Sequence, residues 1–474
     1  MSDATRIRQR QYLETLIQRY TQRTSGSKQV AQTYRSVLAD PRTTEGFNPL
    51  TKELCYLIVG KRSSGSKVWD IDGNEYIDVI MGFGANLLGH NPAFIKDALT
   101  EQLEYGIHLG PQAEQVGEVA ALISELTGMQ RVTFSNTGTE AVFTAIRLAR
   151  AATGREKIAV FSGSYHGHSD GTLVRNQIVD GHSRTVPPAI GVASNVVENV
   201  IVLDYGNPQS LEVIQAHRNE IAAVLVEPIQ SSRPNLQPKE FLLQLRALTQ
   251  ELGIALIFDE MVTGFRLHLG GAQAWFGVEA DIATYGKIVG GGLPIGVIAG
   301  KAHYLDQIDG GLWQYGDDSS PRVQKTFFAG THCKHPLAIA AARAMLTHLK
   351  QAGPSLQQEL NQRTAQFVEQ LNTCFATHEV PIRMAQAGSF FGLASAGNST
   401  ATTHEAAAIG MSLLRYHLFD RGVLLKGEGG GFLSTAHTDA DLDRIITAAR
   451  DSIEELQEGD FLPRPSKQLV QQAS

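Results

Sequence analysis

The sequence has only three cysteines among its 474 residues, and they stand far apart. Because Cys55, Cys333 and Cys374 form no C-x-x-C pair, neither a disulfide framework nor a zinc knuckle is expected. This sparse use of cysteine favours a reducing compartment, and we predict a cytoplasmic protein. Residues 1–20 are polar and amphipathic and lack the apolar core of a secretory signal.

Long apolar runs and a strong charge of one sign are also lacking. No stretch approaches the roughly 18 consecutive apolar residues that a membrane-spanning helix needs, so no membrane partner is expected. The formal net charge is −7, both signs are dispersed, and no basic stripe appears, which argues against nucleic acid as a partner. Hydrophobic residues nevertheless make up 42% of the chain, as in a globular enzyme. At this length we predict one large and one smaller domain.

Apolar runs typical of buried strands alternate with helical patterns between about residues 115 and 300. Five such runs lie at 132–136, 157–163, 199–205, 222–228 and 254–260. This alternation indicates an α/β architecture, with a mostly parallel sheet covered by helices on both faces. The sequence after residue 335 is first strongly helical and then mixes helices with short strands, as in an α+β domain.

The N-terminal region predicts a helical arm and a strand pair. Apolar residues recur at helical spacing between Tyr12 and Tyr20, and this arm packs either on a partner subunit or on its own body. Residues 66–80 alternate around a turn, which predicts two short strands. We divide the chain into an arm and lead-in (1–50), the first part of the small domain (51–100), the large domain (101–335), the rest of the small domain (336–463) and a polar tail (464–474).

Two residues carry the sharpest chemical signal. The run at 254–260 ends in Asp259 and Glu260, directly after its apolar part, where an open α/β sheet places its ligands. The Asp259 carboxylate can pair with a protonated ring nitrogen of a cofactor, and a helix cap or a structural ion pair is the alternative. Lys287 precedes three consecutive glycines, residues 290–292, beside which a ligand can approach the backbone closely. A lysine desolvated in a crevice can form an imine, whereas a lone lysine is more often a surface residue.

A third signal lies between the first run and the helix that follows it. Thr137, Gly138 and Thr139 would offer backbone N–H groups, a helix dipole and a hydroxyl to an anion such as phosphate. Thr137 and Glu140 also match a capping box, and this alternative is compatible with anion binding.

Aromatic and imidazole side chains follow the next run. Tyr165 either stacks on a flat cofactor or simply packs at the end of a strand. His166 and His168 stand one residue apart, but no third ligand has a suitable spacing, so no metal site is expected.

The combination and chain order of these features resemble the class III, fold type I, pyridoxal-phosphate aminotransferases over roughly residues 50–460. The resemblance implies a seven-stranded, mostly parallel sheet flanked by helices, with a smaller α+β domain formed by N- and C-terminal segments. It implies pyridoxal 5′-phosphate as the cofactor and a small-molecule amino acid as the donor. Lys287 would then form the imine, and Asp259 would bind the pyridine nitrogen.

The same resemblance assigns the remaining cofactor-binding residues. Gly138 and Thr139 would bind the phosphate beside Thr137, while Tyr165 would stack on the ring beside His166. Met261 would lie against the other face of the ring, and Gln230 stands where relatives place a polar side chain near the ring hydroxyl. Thr331 matches a threonine that reaches the phosphate of the neighbouring subunit, which implies a homodimer with composite active sites.

Within this family, the segments WDIDGNEYIDVIMGFGANLLGH, SNTGTEA, YHGH and GFLSTAHT are similar to glutamate-1-semialdehyde aminomutase. The segments QTYRSVLADPR, GTHCKHPLA and FLSTAHTDADLD make the chain more similar to aminotransferase domains of hybrid polyketide/nonribosomal-peptide synthetases. Those domains replace a β-keto group on a carrier-bound acyl thioester with an amine. Where the aminomutase has a glutamate before GFLS, this sequence has glycines at 429–431 and Glu428 is displaced, which weakens the aminomutase interpretation.

We therefore predict an aminotransferase that moves an amino group, with glutamate as the favoured donor, to a β-keto acyl thioester on an acyl carrier protein. The alternatives are an aminomutase-type isomerase, a class III aminotransferase for free small keto or aldehyde substrates, and a cofactor-fold binding module without activity. Arg42 is the candidate for binding the donor carboxylate. Gly430 and its neighbours either leave room for an extended acceptor or form a flexible turn.

Overall fold

The computed structural model describes residues 3–179, 182–394, 405–427 and 429–464. Its helices are α1 (Asp3–Arg23), α2 (Ser25–Tyr34), α3 (Met81–Gly84), α4 (Ala93–Tyr105), α5 (Val116–Thr127), α6 (Gly138–Thr153), α7 (Ser194–Val197), α8 (Gln209–Ala216), α9 (Lys239–Glu251), α10 (Gly271–Phe276), α11 (Ala302–Asp309), α12 (Pro336–Ala352), α13 (Ser355–Thr377), α14 (Glu405–Asp420) and α15 (Asp439–Glu458). Within the described ranges, no helix combines the length and the apolar character needed to cross a bilayer.

The strands are β1 (Gly60–Ser64), β2 (Lys67–Asp70), β3 (Glu75–Asp78), β4 (Arg131–Ser135), β5 (Lys157–Phe161), β6 (Arg175–Val179), β7 (His182–Val186), β8 (Val200–Leu203), β9 (Ile221–Val226), β10 (Ala255–Asp259), β11 (Ile282–Tyr285), β12 (Gly296–Gly300), β13 (Met384–Ala387), β14 (Phe390–Leu393), β15 (Val423–Leu424) and β16 (Gly431–Phe432).

The large sheet has seven strands in the order β4-β12-β11-β10-β9-β5-β8. Only β12 runs antiparallel to its neighbours, so the predicted mostly parallel sheet flanked by helices is confirmed. The five apolar runs of the sequence correspond to β4, β5, β8, β9 and β10. Strands β9, β10, β11 and β12 are buried along their whole length, as expected for a sheet covered on both faces.

The strand register brings the ends of three neighbouring strands to one level. Phe258 on β10 pairs with Val226 on β9, so the next residues, Asp259 and Glu227, leave the sheet side by side. Asp259 in turn pairs with Thr284 on β11. Because parallel strands end at the same edge, chemical groups far apart in sequence converge there.

Strands from both ends of the chain form a second, smaller sheet. The predicted strand pair is present as the antiparallel hairpin β2–β3, and β15 pairs with β3 in parallel. A three-stranded sheet of β13, β14 and β16 lies alongside helix α13 in the C-terminal part, and α15 packs on α13 and α14. The boundaries of the five-part division made from the sequence remain a prediction.

The N-terminal arm packs on its own chain. Leu13, Leu16 and Tyr20 of α1 are buried. Arg19 forms ion pairs with Asp420 at the end of α14 (2.5 Å) and with Glu455 on α15 (2.9 Å). These contacts place the arm against its own chain, one of the two packing arrangements that the sequence leaves open.

Asp441 joins the first turn of α15 to the small sheet, and this contact predicts a pH-dependent stability. Burial alone would raise the pKa of Asp441, but hydrogen bonds from Lys67, the Thr438 amide and Ser66 outweigh it and lower the pKa from 3.8 to about 2. A carboxyl group with a lowered pKa stabilises the fold above its unfolded pKa, and the stabilisation is lost as pH falls through the folded pKa.

We therefore expect Asp441→Asn to lower the free energy of unfolding at pH 7, with a difference from the wild type that shrinks between about pH 4 and pH 2. Urea unfolding at several pH values measures this difference. Asp443→Asn, at an exposed position of the same helix, is the matched control. A constant difference at all pH values would show that the charge of Asp441 is not what stabilises the contact.

Candidate active site

A cavity of about 610 Å³ lies at the edge where β9, β10 and β11 end. Its lining includes both Lys287 and Asp259, which are twenty-eight residues apart in sequence. The structure also brings the following predicted cofactor-binding residues into the same lining: Gly138, Thr139, Tyr165, His166 and Met261. Residues from the small domain, Phe83, Lys426 and Phe432, complete it.

Asp259 is buried and held by three contacts. His166 donates from Nδ1 to Oδ2 over 2.8 Å, and the Thr284 hydroxyl donates to Oδ1 over 3.3 Å. The Met261 amide also donates to Oδ1, over 3.2 Å, in a local turn and not in a helix cap, because the next helix begins only at Gly271. These partners fix the orientation of the carboxylate without any lysine or arginine among them, which leaves its charge available to a ligand.

Lys287 begins a short 3-10 turn, Lys287–Gly290, directly after β11. Its φ of +38° is unusual for a residue with a side chain and indicates backbone strain of about 1–3 kcal/mol, a feature common at functional sites. Burial lowers the pKa of Lys287, while the negative charges of Asp259 and Glu227 oppose the shift. A lowered pKa increases the fraction of neutral amine, which is the nucleophilic form.

The first turn of α6 presents backbone N–H groups to the cavity. Thr137 is its N-cap and accepts a hydrogen bond from the Glu140 amide over 3.2 Å. The Glu140 carboxylate reaches back to the amide of Asn136 (2.6 Å), one residue before the position that a standard capping box uses. Gly138 and Thr139 line the cavity, whereas Thr137 stands behind them as the cap.

Two glycines allow the Met261 side chain to pack closely against the backbone. A Cβ atom on Gly138 would lie 2.9 Å from the Met261 sulfur, and one on Gly286 would lie 2.7 Å from it. Met261 therefore fits between two backbone segments that tolerate only glycine at these contacts. Tyr165 is 63% exposed at the cavity, so its ring is available to a ligand.

The two histidines have separate partners rather than a common one. His166 faces Asp259, while His168 Nδ1 lies 3.3 Å from the Thr139 hydroxyl. The described ranges contain no group of three or more His, Cys, Asp or Glu side chains that could hold a metal ion.

Besides Thr137, four predicted residues lie outside the cavity lining of this chain, among them Gln230, Arg42 and Thr331. Gln230 is fully buried and donates to the Ser162 carbonyl and the Ser164 hydroxyl, which turns it behind the site. Arg42 donates two hydrogen bonds to the Asp40 carboxylate, from Nε over 3.0 Å and from Nη2 over 2.6 Å. This local ion pair keeps Arg42 at the surface. Thr331 is exposed in an irregular segment.

Gly430 also lies outside the lining, and close packing accounts for it better than either alternative drawn from the sequence. It is buried, and an added Cβ would lie 2.8 Å from the Phe391 carbonyl oxygen. Gly431 is equally tight, 2.7 Å from the Val79 carbonyl oxygen. Gly430 thus neither provides space for an acceptor nor forms an open turn. Glu428, the displaced glutamate, falls outside the described residues.

This packing predicts that Gly430→Ala lowers the free energy of unfolding by about 1–3 kcal/mol, because backbone atoms cannot move aside as a side-chain end can. Equilibrium urea unfolding measures the change. Gly117→Ala, at a helical position with open space around it, should be neutral or slightly stabilising. Equal stability of Gly430→Ala and the wild type would contradict the close-packing explanation.

The structure adds cavity residues that the sequence interpretation missed. Glu227 is buried and accepts from the amides of Ser231 (2.8 Å) and Tyr165 (3.2 Å), and burial raises its pKa. Its position directly after β9, matching that of Asp259 after β10, is the signal that could have found it. Lys426 carried no comparable signal, because the loop that holds it follows a strand of only two residues.

Arg266 supports the cavity from behind. It is fully buried and donates to the Ser389 hydroxyl (2.8 Å) and to the carbonyls of Val262 and Gly84. Burial lowers the pKa of Arg266 to about 9. Its guanidinium also lies 4.9 Å from the ring centre of Phe432. Arg266 thus connects the turn beside Phe83 with the strand that carries Phe432.

Comparison with known proteins agrees with this geometry. The profile of the class-III aminotransferases matches residues 51–436. The chain belongs to the class-III aminotransferase family. Glutamate-1-semialdehyde 2,1-aminomutase from Chloroflexus aurantiacus is 38% identical over 403 residues, which cover 82% of this chain and 88% of the relative. The aminomutase of the same name from Alkaliphilus oremlandii is 35% identical over 407 residues, covering 84% and 91%.

Solved structures of class-III enzymes share the fold. An omega-transaminase from Sphaerobacter thermophilus has a TM-score of 0.80 at 29% identity and covers 91% of this chain and 98% of its own. A β-phenylalanine aminotransferase from Variovorax paradoxus has a TM-score of 0.78 at 28% identity, covering 96% and 99%. A transaminase with bound PLP has a TM-score of 0.79 at 27% identity, covering 92% and 99%. The chain is therefore a class-III, fold type I enzyme that uses pyridoxal 5′-phosphate.

The cavity residues fit this cofactor chemically. Asp259 offers a buried carboxylate suited to a protonated ring nitrogen, and the N-terminus of α6 at Gly138 and Thr139 suits a phosphate. His166 Nε2 is buried and has no hydrogen-bond partner within the described part of the chain, so it is free to form a hydrogen bond with a ligand. Lys287, with its lowered pKa, provides the amine that would hold the cofactor covalently.

Proposed function

We propose that this class-III enzyme transfers the amino group of glutamate to the β-keto group of an acyl thioester on an acyl carrier protein. The observation that carries the transfer chemistry is the convergence of Lys287 and Asp259 in one cavity. When bound, pyridoxal phosphate supplies an electron-accepting ring that stabilises negative charge on the α-carbon of the donor. Asp259 would keep the ring nitrogen protonated.

Lys287 would act as the proton carrier in both halves of the reaction. With the cofactor bound, the Nζ amine of Lys287 would serve as the base that takes the donor α-proton and as the acid that returns a proton to the substrate. Burial favours the neutral, proton-accepting form, and the carboxylates of Asp259 and Glu227 lie close enough to stabilise the protonated form that follows. The acceptor half-reaction would use the same group in the opposite direction.

The remaining roles follow the site geometry. Gly138 and Thr139 would bind the phosphate, Tyr165 would cover one face of the ring, and Met261 would contact the other. Gln230 would act indirectly, by holding the strand-end loop at Ser162 and Ser164.

We also propose that two subunits complete each site, with Thr331 reaching the phosphate bound by the partner. Class-III aminotransferases are typically dimeric and act on small-molecule amino donors. Exposed apolar side chains in the same irregular segment support this assembly, because large exposed apolar patches mark interaction surfaces. They are Leu312, Tyr315 and Phe327.

An apolar chamber of about 430 Å³ supports an acceptor with an acyl chain. It is lined mainly by side chains of α13, α14 and α15, among them Phe375, Leu418 and Ala449. Gly427 borders this chamber, while its neighbour Lys426 lines the reaction cavity, so one loop contributes to both spaces. The volume and apolar lining are those of a small-molecule pocket rather than of a packing defect.

The experiment that tests the proposal supplies the holoenzyme with glutamate and a panel of acceptors. The panel contains short- and long-chain β-keto acyl thioesters on carrier protein, the matching free acids, and small aldehydes. We expect 2-oxoglutarate and β-amino acyl product in equal amounts, with carrier-bound acceptors preferred. Mass spectrometry of the carrier protein detects the product. Amination of free small carbonyl compounds alone would overturn the carrier-bound acceptor.

A second candidate function is an aminomutase that moves an amine within one molecule. The observation that favours it is the 38% identity to an aminomutase from Chloroflexus aurantiacus. Glutamate-1-semialdehyde, supplied without any other donor, separates the two candidates. An aminomutase converts it fully to an isomeric amino ketone, whereas an intermolecular aminotransferase stops once the bound cofactor has reacted.

A further inference from the structure

Lys426 is a second lysine in the reaction cavity, and its ammonium group has no partner among the described residues. It follows β15, stands at the start of the glycine-rich turn, and lines the cavity beside Phe432 and Lys287. In the described part of the chain, its Nζ makes neither an ion pair nor a hydrogen bond, whereas nearly every other cation near the site is engaged. An unpaired cation in a mostly apolar cavity is costly unless a ligand supplies the opposite charge.

The acids of the cavity do not supply that charge. Asp259 is oriented by His166, Thr284 and the Met261 amide. Glu227 accepts from two backbone amides, that of Ser231 on Oε1 and that of Tyr165 on Oε2. Both carboxylates therefore have partners on the large-domain side of the cavity.

The cationic side chains of Arg266, Arg233 and Arg42 already have hydrogen-bond partners. Arg266 is buried behind the lining and bonded to Ser389 and the Gly84 carbonyl. Arg233 lies over Gly163 and donates to the Ser162 carbonyl. Arg42 is bound by Asp40. Once Lys287 carries the cofactor, Lys426 is the described lining residue that still offers a full positive charge.

We propose that Lys426 forms a carboxylate-binding subsite that receives the α-carboxylate of the amino donor. This inference rests on the proposed function and names the donor-recognition residue that Arg42 does not provide. Lys426 and Lys287 line the same cavity, so a carboxylate bound by Lys426 would lie in the space that holds the reacting amine. A carboxylate one bond from the donor α-carbon meets this requirement.

The position of Lys426 also suits an enzyme that must accept a second, uncharged substrate. A lysine binds a carboxylate as a point charge on a flexible chain, so it can turn aside when a thioester occupies the same place. Gly429 supports the turn with a φ of +82°, and open space surrounds it, so the loop can adjust locally. Gly430 and Gly431, packed against Phe391 and Val79, anchor the other end.

The test compares Lys426→Gln with Lys426→Arg and with the wild-type holoenzyme in the donor half-reaction alone. Loss of the visible absorbance of the cofactor reports turnover of glutamate. Calorimetry reports binding of glutarate, which has the carbon skeleton of the donor without the amine. We expect Lys426→Gln to raise the KM for glutamate and the Kd for glutarate about 10- to 100-fold, the loss of one charged hydrogen bond. Lys426→Arg should retain most of the affinity.

Lys96→Gln, at an exposed position of α4, controls for the loss of a surface charge. Retention of the cofactor absorbance by Lys426→Gln shows that the variant is folded around the site. Unchanged KM and Kd in that variant would overturn the subsite, as would a lower maximal rate at unchanged KM. If the wild type itself fails to react with glutamate, the proposed donor is wrong, a result that is distinct from failure of the subsite alone.

Discussion

Lys287→Ala is expected to abolish covalent retention of pyridoxal phosphate and to lower the transfer rate roughly 10⁴-fold. The substitution removes both the amine that holds the cofactor and the base that moves the donor proton. Among the described residues that line the cavity, His166 is bound to Asp259 and Lys426 is assigned to the donor carboxylate, so neither is expected to replace Lys287. Visible absorbance after dialysis and single-turnover reaction with glutamate measure the two losses separately.

Lys96→Ala is the control for this substitution, since Lys96 is exposed on α4 and distant in function from the cavity. It should retain the absorbance and rate of the wild type. A Lys287→Ala protein that keeps the cofactor through dialysis and turns over glutamate at an undiminished rate would contradict the role assigned to this lysine.

Asp259→Asn is expected to lower the rate of the donor half-reaction on the order of 10²- to 10³-fold while leaving Lys287 able to bind the cofactor. The amide keeps the shape of the side chain and can still accept from the Thr284 hydroxyl. It lacks the negative charge that would hold a proton on the ring nitrogen, so negative charge on the donor carbon is stabilised less. Stopped-flow absorbance with glutamate measures the rate.

Asp281→Asn provides a matched control for burial. Asp281 is also a buried aspartate beside a strand of the same sheet, but it precedes β11 and pairs with Arg246 and Lys301 away from the cavity. This variant should lose stability and retain its half-reaction rate. Equal rate losses in both variants would show that Asp259 acts through the fold and not through charge at the site.

Much of the fold was predictable because strands that are buried on both faces of a sheet consist of continuous apolar residues. Strand β9, with the sequence IAAVLV, and strand β10, with ALIFD, are continuous apolar runs that end at polar residues. Strands β11 and β12 were not singled out. The first, IATY, has four residues, and the second, GVIAG, has glycine at both ends, so neither resembles an isolated strand. Hydrogen bonding of β11 to β10 and of β12 to β4 holds these two segments as strands, although their own sequences do not indicate strands.

The reactive core of the site was predictable for the same reason. Asp259 stands at the end of a recognisable strand, and Lys287 stands beside glycines that permit close approach. Because parallel strands end at one edge, the convergence of such residues follows from the architecture.

The substrate side of the cavity could not be predicted in this way. Lys426 is placed by β15 and β16, which have two residues each and depend on pairing with distant strands. Arg42 looked suitable from its position in the lead-in, yet a carboxylate two residues away binds it. Gly430 likewise owes its identity to Phe391, thirty-nine residues earlier in the chain.

The central claim is that Lys287 is the residue that carries the cofactor, and peptide mapping after borohydride reduction tests it most directly. Reduction fixes the pyridoxyl group on the amine that holds it, and mass spectrometry of the digested protein then identifies the residue. Two lysines line the cavity, so the experiment can distinguish between them. We predict a pyridoxyl group on Lys287. A pyridoxyl group on Lys426, or on no lysine of the reconstituted protein, would contradict it.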